Sequence, residues 1–235
     1  CCSEASREAH VAFGYTADKM VVIPNGVDLT ALKPDPVARR LTRQALGIPT
    51  EASVIGLVGR FHPQKDHQNF VCAAKRLVSM RPSVHFILCG EGVTWNNREL
   101  AAWIDDAGIR ENCRLLGRRE DVPQLMASFD LATSSSCFGE SFANVVSEAM
   151  SCAVPCVVTD VGDSAHIVGP TGIVVPPRDA EALARAWEHM LNLGQEQLLR
   201  TGLQARQRIK DNFDLPNIVD RYQTMFDDLA ISCVA

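Results

Sequence analysis

The sequence predicts an α/β fold, a parallel sheet with helices on both faces, and three observations carry that prediction. Short runs rich in Val, Ile and Leu alternate with longer stretches of helical periodicity; the runs are almost uniformly apolar, as strands buried on both faces must be; and Gly or Pro punctuates the junctions. With 235 residues, 46% hydrophobic and 22% charged, the chain has room for one large domain or two small ones.

Residues 1–20 read as a helix-like segment, followed by the β-run Val21-Val22-Ile23, then Pro24-Asn25-Gly26-Val27-Asp28 and a polar, Pro-rich stretch to Pro49 that reads as a connector. Ser53 to Gly59 is the first strand. A helix follows from about Asp66 to Met80, with Phe70, Ala73, Ala74, Leu77 and Val78 at helical spacing and Arg81-Pro82 ending it. Val84 to Cys89 is the second strand; a helix through Leu100 and Trp103 stops at Gly108, and Cys113 to Leu116 is the third strand. A short helix over Asp121 to Ser128 takes Asp121 as its N-cap and Pro123 in its first turn. Phe129 to Thr133, Val157 to Thr159 and Ile173 to Val175 supply three more strands, with a helix from near Ser141 to around Cys152 between the first two. From Asp179 onward the chain reads helical: Ala180 to Leu193, Gln195 to Asn212, and Asn217 to Ala230.

Composition excludes several classes. Twenty-three Lys and Arg against 28 Asp and Glu leave a net charge of -5, so no global excess of cations favours nucleic acid. No apolar run approaches the ~20 residues that a membrane-spanning helix needs. Nine cysteines make an odd count without a C-x-x-C, and several sit inside apolar runs, so they read as buried reduced thiols of a cytoplasmic protein rather than a zinc site or a disulfide framework. The opening Cys1-Cys2-Ser3-Glu4 carries neither an initiator Met nor a secretory pattern, and the chain is read as a piece of a longer one.

In an open parallel sheet, ligands bind at the carboxyl ends of the strands. Four loops fall there. In Gly59-Arg60-Phe61-His62-Pro63-Gln64-Lys65-Asp66, Gly59 admits close approach and Arg60 and Lys65 set two cations beside a helix start, which suits a pyrophosphate; two solvated surface cations are the plainer alternative. In Gly139-Glu140-Ser141-Phe142-Ala143-Asn144, running on to Glu148, Ser141 is the expected N-cap. Glu140 and Glu148 would then stand ~12 Å apart along the axis and within roughly 80° of one face, too far apart for an acid/base pair on one bond but suited to one elongated ligand. The N–H groups of Phe142 to Asn144 would face that ligand. Gly90-Glu91-Gly92 and Gly117-Arg118-Arg119-Glu120-Asp121 offer backbone and Arg contacts to a base, or plain turn chemistry.

Taken together, these loops resemble the donor-binding, C-terminal half of retaining GT-B glycosyltransferases, glycosyltransferase family 4, also called group 1. Val22-Ile23-Pro24-Asn25-Gly26-Val27-Asp28 is similar to the family's connector, Gly59-Arg60 with Lys65 to its phosphate-binding pair, and Glu140 and Glu148 to its E-x7-E motif. Glu148-Ala149-Met150-Ser151-Cys152-Ala153-Val154-Pro155 and Thr159-Asp160-Val161-Gly162 follow in the family's order. The resemblance implies a Rossmann-like nucleotide-sugar domain over 51–212, a remnant of an N-terminal acceptor domain over 1–20, a connector over 21–50, and a helix in 213–235 that crosses back to that domain.

It also implies roles. Arg60 and Lys65 would bind the donor diphosphate, Glu140 the transferred sugar, and Glu148 the ribose; catalysis would rest on Arg60, Lys65 and Glu140. Gly59, Gly90, Arg118, Arg119, Ser141, Phe142, Ala143 and Asn144 would complete the donor site. The donor would be a UDP- or GDP-sugar, with no metal and no cofactor, and the acceptor a glycan or lipid-linked glycan of polysaccharide or lipopolysaccharide biosynthesis, reached through the missing domain. The isolated chain would be inactive. The implied location is cytoplasmic, with peripheral attachment at the inner face of the membrane left open. Three positions depart from the family pattern: Ala153 for Gly, His166 for an acidic residue, and Ser141 for Gly. A non-catalytic nucleotide-binding module, or another GT-B enzyme such as a nucleotide-sugar epimerase or a phosphorylase, is the alternative. A dinucleotide oxidoreductase is disfavoured because no G-x-G-x-x-G follows the first strand.

Overall fold

The structure, a computed structural model, describes residues 1–234. Two helices, α1 (Glu4–Ala12) and α2 (Pro36–Ala45), precede the sheet. Its strands are β1 (Val54–Val58), β2 (His85–Cys89), β3 (Cys113–Leu115), β4 (Leu131–Ser134), β5 (Cys156–Thr159) and β6 (Ile173–Val175). They lie in the order 3-2-1-4-5-6 and every neighbouring pair is parallel. Ile55 of β1 stands level with Phe86 on one side and Leu131 on the other. All six predicted strands are present, each within about two residues of its expected ends.

Helices α3 (His67–Met80), α4 (Arg98–Ala107) and α8 (Ala180–Asn192) pack a core with Ile55, Leu57, Phe86 and Leu88. At its centre the rings of Phe70, Phe86 and Trp187 meet edge-on or tilted, 5.0 to 5.9 Å apart, and the buried Trp187 indole N–H donates to Thr133 Oγ1 at 2.8 Å. A second core, with Val54, Ile87, Ala132 and Val158, is covered by α5 (Val122–Ala127), α6 (Asn144–Ser151), α7 (Ser164–Val168) and α9 (Gln195–Phe213). The chain ends in α10 (Leu215–Val234), which presents the exposed apolar residues Val219, Tyr222, Phe226 and Leu229.

The amino ends of β1 and β4 are tied by a charged cluster. Asp130 accepts from Arg43 at 2.8 Å, from Arg39 at 2.5 Å and from the Val54 N–H at 2.7 Å. Arg43, 3% exposed, also donates to the carbonyls of Ser128 and Ala52, both at 2.9 Å.

Four expectations change. Val21-Val22-Ile23 forms no strand; Ile23 is buried, and its N–H donates to the Cys1 carbonyl. The stretch read as a connector contains α2, capped by Asp35, whose carboxylate accepts from the Ala38 N–H at 2.8 Å. Asp121 makes no side-chain cap for α5, because its carboxylate is held by Arg119. The helix expected from Ser141 begins three residues later, at Asn144. Of the departures from the resembled pattern, Ala153 takes a left-handed φ of 57°, a conformation that glycine adopts without steric cost. His166 is exposed, with its ring edge-on to Phe213.

Candidate functional site

The strand order reverses between β1 and β4, so the loops leaving their carboxyl ends diverge and open a crevice. The β1 loop turns through a short 3-10 segment, Pro63–Lys65, and enters α3 at Asp66, which takes a left-handed φ of 48° and caps the helix by accepting from the Asn69 N–H at 3.1 Å. The β4 loop runs through Ser135 to Gly139. The two loops are laced together: Ser135 Oγ donates to the Lys65 carbonyl at 2.7 Å, the Cys137 N–H to the Gln64 carbonyl at 2.9 Å, and Gln64 Nε2 to the Gly139 carbonyl at 2.8 Å.

This lacing sets Lys65 Nζ against Glu140 Oε1 in an ion pair. The Lys65 side chain is 21% exposed and that of Glu140 only 8%. Ser136 Oγ donates to the same Glu140 oxygen at 2.6 Å, and Thr159 in turn bonds the Ser134 and Ser136 carbonyls. Gly59 leaves space along the Lys65 stem, whose carbons lie 3.5 Å from where a Cβ would stand. Arg60 is exposed beside it. The result is a cation at the mouth of a parallel sheet, backed by a nearly buried carboxylate, which can hold a phosphoanion and a hydroxylated group side by side.

Gly162 supports this arrangement from behind. Its φ is 59°, and an added Cβ would lie 2.3 Å from the Glu140 carbonyl oxygen, while the next N–H, of Asp163, donates to the Ser141 carbonyl. Gly162→Ala is therefore expected to shift the Glu140 loop, to destabilise the fold by about 1 to 2 kcal/mol, and to weaken binding of a nucleotide-sugar more than of the free nucleotide. Parallel thermal melts and titrations check this; an unchanged ratio of the two affinities would contradict it.

Ser141 is not a helix cap. Its hydroxyl meets Ser3 Oγ at 2.7 Å and Cys2 Sγ at 3.2 Å, while Asp163 accepts from the N–H groups of Glu4 and Ala5 at 3.0 and 3.1 Å. The start of α1 is thus clasped by the two loops that frame Glu140. Because only Glu148 of the two glutamates lies on α6, the eight-residue helical spacing expected between them does not exist. Phe142 and Ala143 are buried, and no side chain caps the α6 N-terminus; the Val146 N–H donates to the Ala143 carbonyl at 2.9 Å, leaving those of Asn144 and Val145 to an anion.

Glu148 stands on α6. It lines a hollow of 530 Å³ between the connector, α6 and α10, together with Asn25 and Asn144, whose side chains bond at 2.9 Å. Burial raises its carboxyl pKa above the ordinary value. Gly90 serves the backbone: a Cβ there would lie 2.1 Å from the Gly59 carbonyl oxygen, so it lets the β1 and β2 loops touch. Arg119 forks onto Asp121 at 2.7 and 2.5 Å, and Arg118 is exposed. Ser136 and Asn25 enter the site without having been predicted as site residues; the Ser134-Ser135-Ser136 run closing an apolar strand is the signal that marks the first. Among the described residues no group of three or more metal-ligating side chains converges, and no helix is long and apolar enough to cross a membrane.

A profile of the family described as "Glycosyl transferases group 1" matches residues 52–193, more than half of the chain. The chain is 26% identical over 219 residues to the UDP-Gal:alpha-D-GlcNAc-diphosphoundecaprenol alpha-1,3-galactosyltransferase of Escherichia coli, covering 91% of this chain and 55% of that protein. It is 30% identical over 194 residues to the D-inositol 3-phosphate glycosyltransferase of Mycobacterium tuberculosis, covering 81% and 40%. The chain thus spans about half the length of these curated relatives. Among solved structures, Alr3699/HepE of Anabaena in complex with UDP-glucose superposes with a TM-score of 0.89 at 27% identity, over 97% of this chain and 63% of that one. WaaG, a glycosyltransferase involved in lipopolysaccharide biosynthesis, shares the fold with a TM-score of 0.74 at 24% identity, over 89% and 58%.

Proposed function

The chain belongs to the group 1 glycosyl transferases, and from that premise we propose that it is the donor-binding half of a retaining enzyme that transfers a sugar from a nucleoside-diphosphate sugar to a glycan or lipid-linked acceptor. The observation that carries this reading is the Lys65–Glu140 pair, set at the reversal of the parallel sheet and backed by Ser136. It is supported by the Anabaena neighbour, which binds UDP-glucose, and by relatives that are themselves glycosyltransferases.

In this reading Lys65, with Arg60 and the open α6 N-terminus, holds the diphosphate and stabilises the charge that grows on it as the glycosidic bond breaks. Glu140 accepts hydrogen bonds from hydroxyls of the transferred sugar, and Glu148 from the ribose. The departing phosphate takes the acceptor's proton on the same face of the sugar, so configuration at the anomeric carbon is kept. No metal or cofactor is needed. Acceptor recognition falls to a further domain, and the isolated chain binds donor without catalysing transfer.

Calorimetric titration with UDP, GDP and ADP, then with sugar conjugates of whichever binds, tests the reading. One nucleotide is expected to be preferred, and Glu140→Ala to weaken the nucleotide-sugar selectively, by about tenfold, while sparing the free nucleotide. Equal weakening of both, or of neither, would favour a nucleotide-binding module with no sugar-facing carboxylate.

A further inference from the structure

The lacing that holds Lys65 has a second side. Beyond the Pro63–Lys65 turn lies a cavity of 680 Å³, roofed by the β1 and β4 loops and floored by α3 and α4; it contains neither Lys65 nor Glu140. Phe61 and Trp103, with ring centres 5.7 Å apart, and the 47% exposed Phe138 give it aromatic walls. His67 and Asn69 also line it, 2% and 7% exposed; the His67 ring is turned to the Gly59 backbone, and the Asn69 amide nitrogen has no hydrogen-bond partner. Buried polar groups are almost always paired, so the unpaired amide nitrogen of a residue lining the cavity points to an occupant.

Charge narrows its chemistry. Arg178 is the lining's one Lys or Arg, against the carboxylates of Asp66 and Glu99. Burial and the nearby Lys65 push the His67 pKa down to about 4, so at neutral pH its ring adds no charge. A phosphate or carboxylate ligand would meet more negative charge than positive. A neutral polyol ring would meet what it needs: flat aromatic faces for its C–H surface, and the Asn69 amide with the carboxylates of Asp66 and Glu99 to pair with hydroxyls.

We propose that this cavity binds a neutral sugar ring, at a site separate from the one that holds the donor. The two sites share the Pro63–Lys65 turn as a wall. The inference goes beyond the donor reading and does not depend on it.

Saturation-transfer NMR on the 235-residue chain, with the methyl glycosides of glucose, galactose and N-acetylglucosamine, tests the proposal. At least one glycoside is expected to show transfer to its ring C–H protons, persisting under excess UDP and in Lys65→Ala. Asn69→Leu and Phe138→Ala are each expected to weaken it by about fivefold to tenfold. Phe138 is half-exposed, so its truncation leaves the fold intact, and both variants are to keep wild-type near-UV circular dichroism. Transfer abolished by UDP, or by Lys65→Ala in protein that keeps wild-type near-UV circular dichroism, would assign the sugar to the donor site and overturn the proposal. So would transfer indifferent to both cavity substitutions, or none from any of the three glycosides. If nucleotides fail to bind while a glycoside still responds to Asn69→Leu, the donor reading falls and this one stands.

Discussion

Lys65→Ala is expected to lower affinity for a nucleoside diphosphate by about 10²-fold, roughly 3 kcal/mol, because it removes a cation that both neutralises and hydrogen-bonds the anion. The same change should also destabilise the protein. Glu140 is 8% exposed at its side chain and takes hydrogen bonds from Lys65 and Ser136; without Lys65 its charge is left nearly buried with a single hydroxyl partner. Breaking such a pair from one side costs about 3 to 5 kcal/mol when burial is complete, and the 21% exposure of Lys65 places this case toward the lower end. Pairing Lys65→Ala with Glu140→Gln separates the two effects, since the neutral amide tolerates burial without a cation. The double variant should regain most of the stability and none of the nucleotide affinity. Calorimetry and thermal melts on the three proteins check this, and nucleotide affinity within about threefold of wild type in Lys65→Ala would remove the cation from the binding site.

The second large effect lies at the opposite end of the strands. Asp130 is the carboxylate partner of Arg43, a guanidinium 3% exposed that burial already disfavours in its charged form. Asp130→Ala removes that counter-charge, the Arg39 partner and the acceptor of the Val54 N–H together. The expected loss is about 3 to 5 kcal/mol, equivalent to roughly 10 °C in melting temperature for a chain of this length. Asp130→Asn, which keeps an acceptor but not the charge, should fall between. Denaturant melts decide; a loss below about 1 kcal/mol for Asp130→Ala would mean that the carbonyls of Ser128, Thr50 and Ala52 suffice to hold Arg43.

That cluster also shows where the sequence was opaque. Strands such as β1 and β5 were legible because a strand covered on both faces reads as an unbroken apolar run, with Gly or Pro close by to bound it. Helix α2 leaves its apolar residues Val37 and Leu41 exposed: its one buried residue is Arg43, and its anchorage is a guanidinium rather than a hydrophobic face. The clue was Asp35-Pro36, a capping residue followed by proline at the first helical position. Val21-Val22-Ile23 misled for the converse reason, since β-branched residues signal a strand only where a partner edge exists. In the site, Lys65 and Glu140 were legible because each follows a strand at the point where the sheet reverses. The start of α6 was not, because the Ser141 hydroxyl is taken by Ser3, a residue 138 positions away that no local pattern reveals.

The clasp on α1 bears on the order in which the chain folds. The Ser3 hydroxyl and the Glu4 N–H reach Ser141 and Asp163 over separations of 138 and 159 residues, across a sheet whose every strand pairing is itself non-local. Closing such distances early in folding would cost loop entropy before any contact returned it. During synthesis α1 emerges before all six strands, yet its docking ground does not exist until β5 and the loop after it are in place. A helix made before the sheet is thus fixed only after most of it, and its amide hydrogens should gain protection in step with β5 rather than with β1.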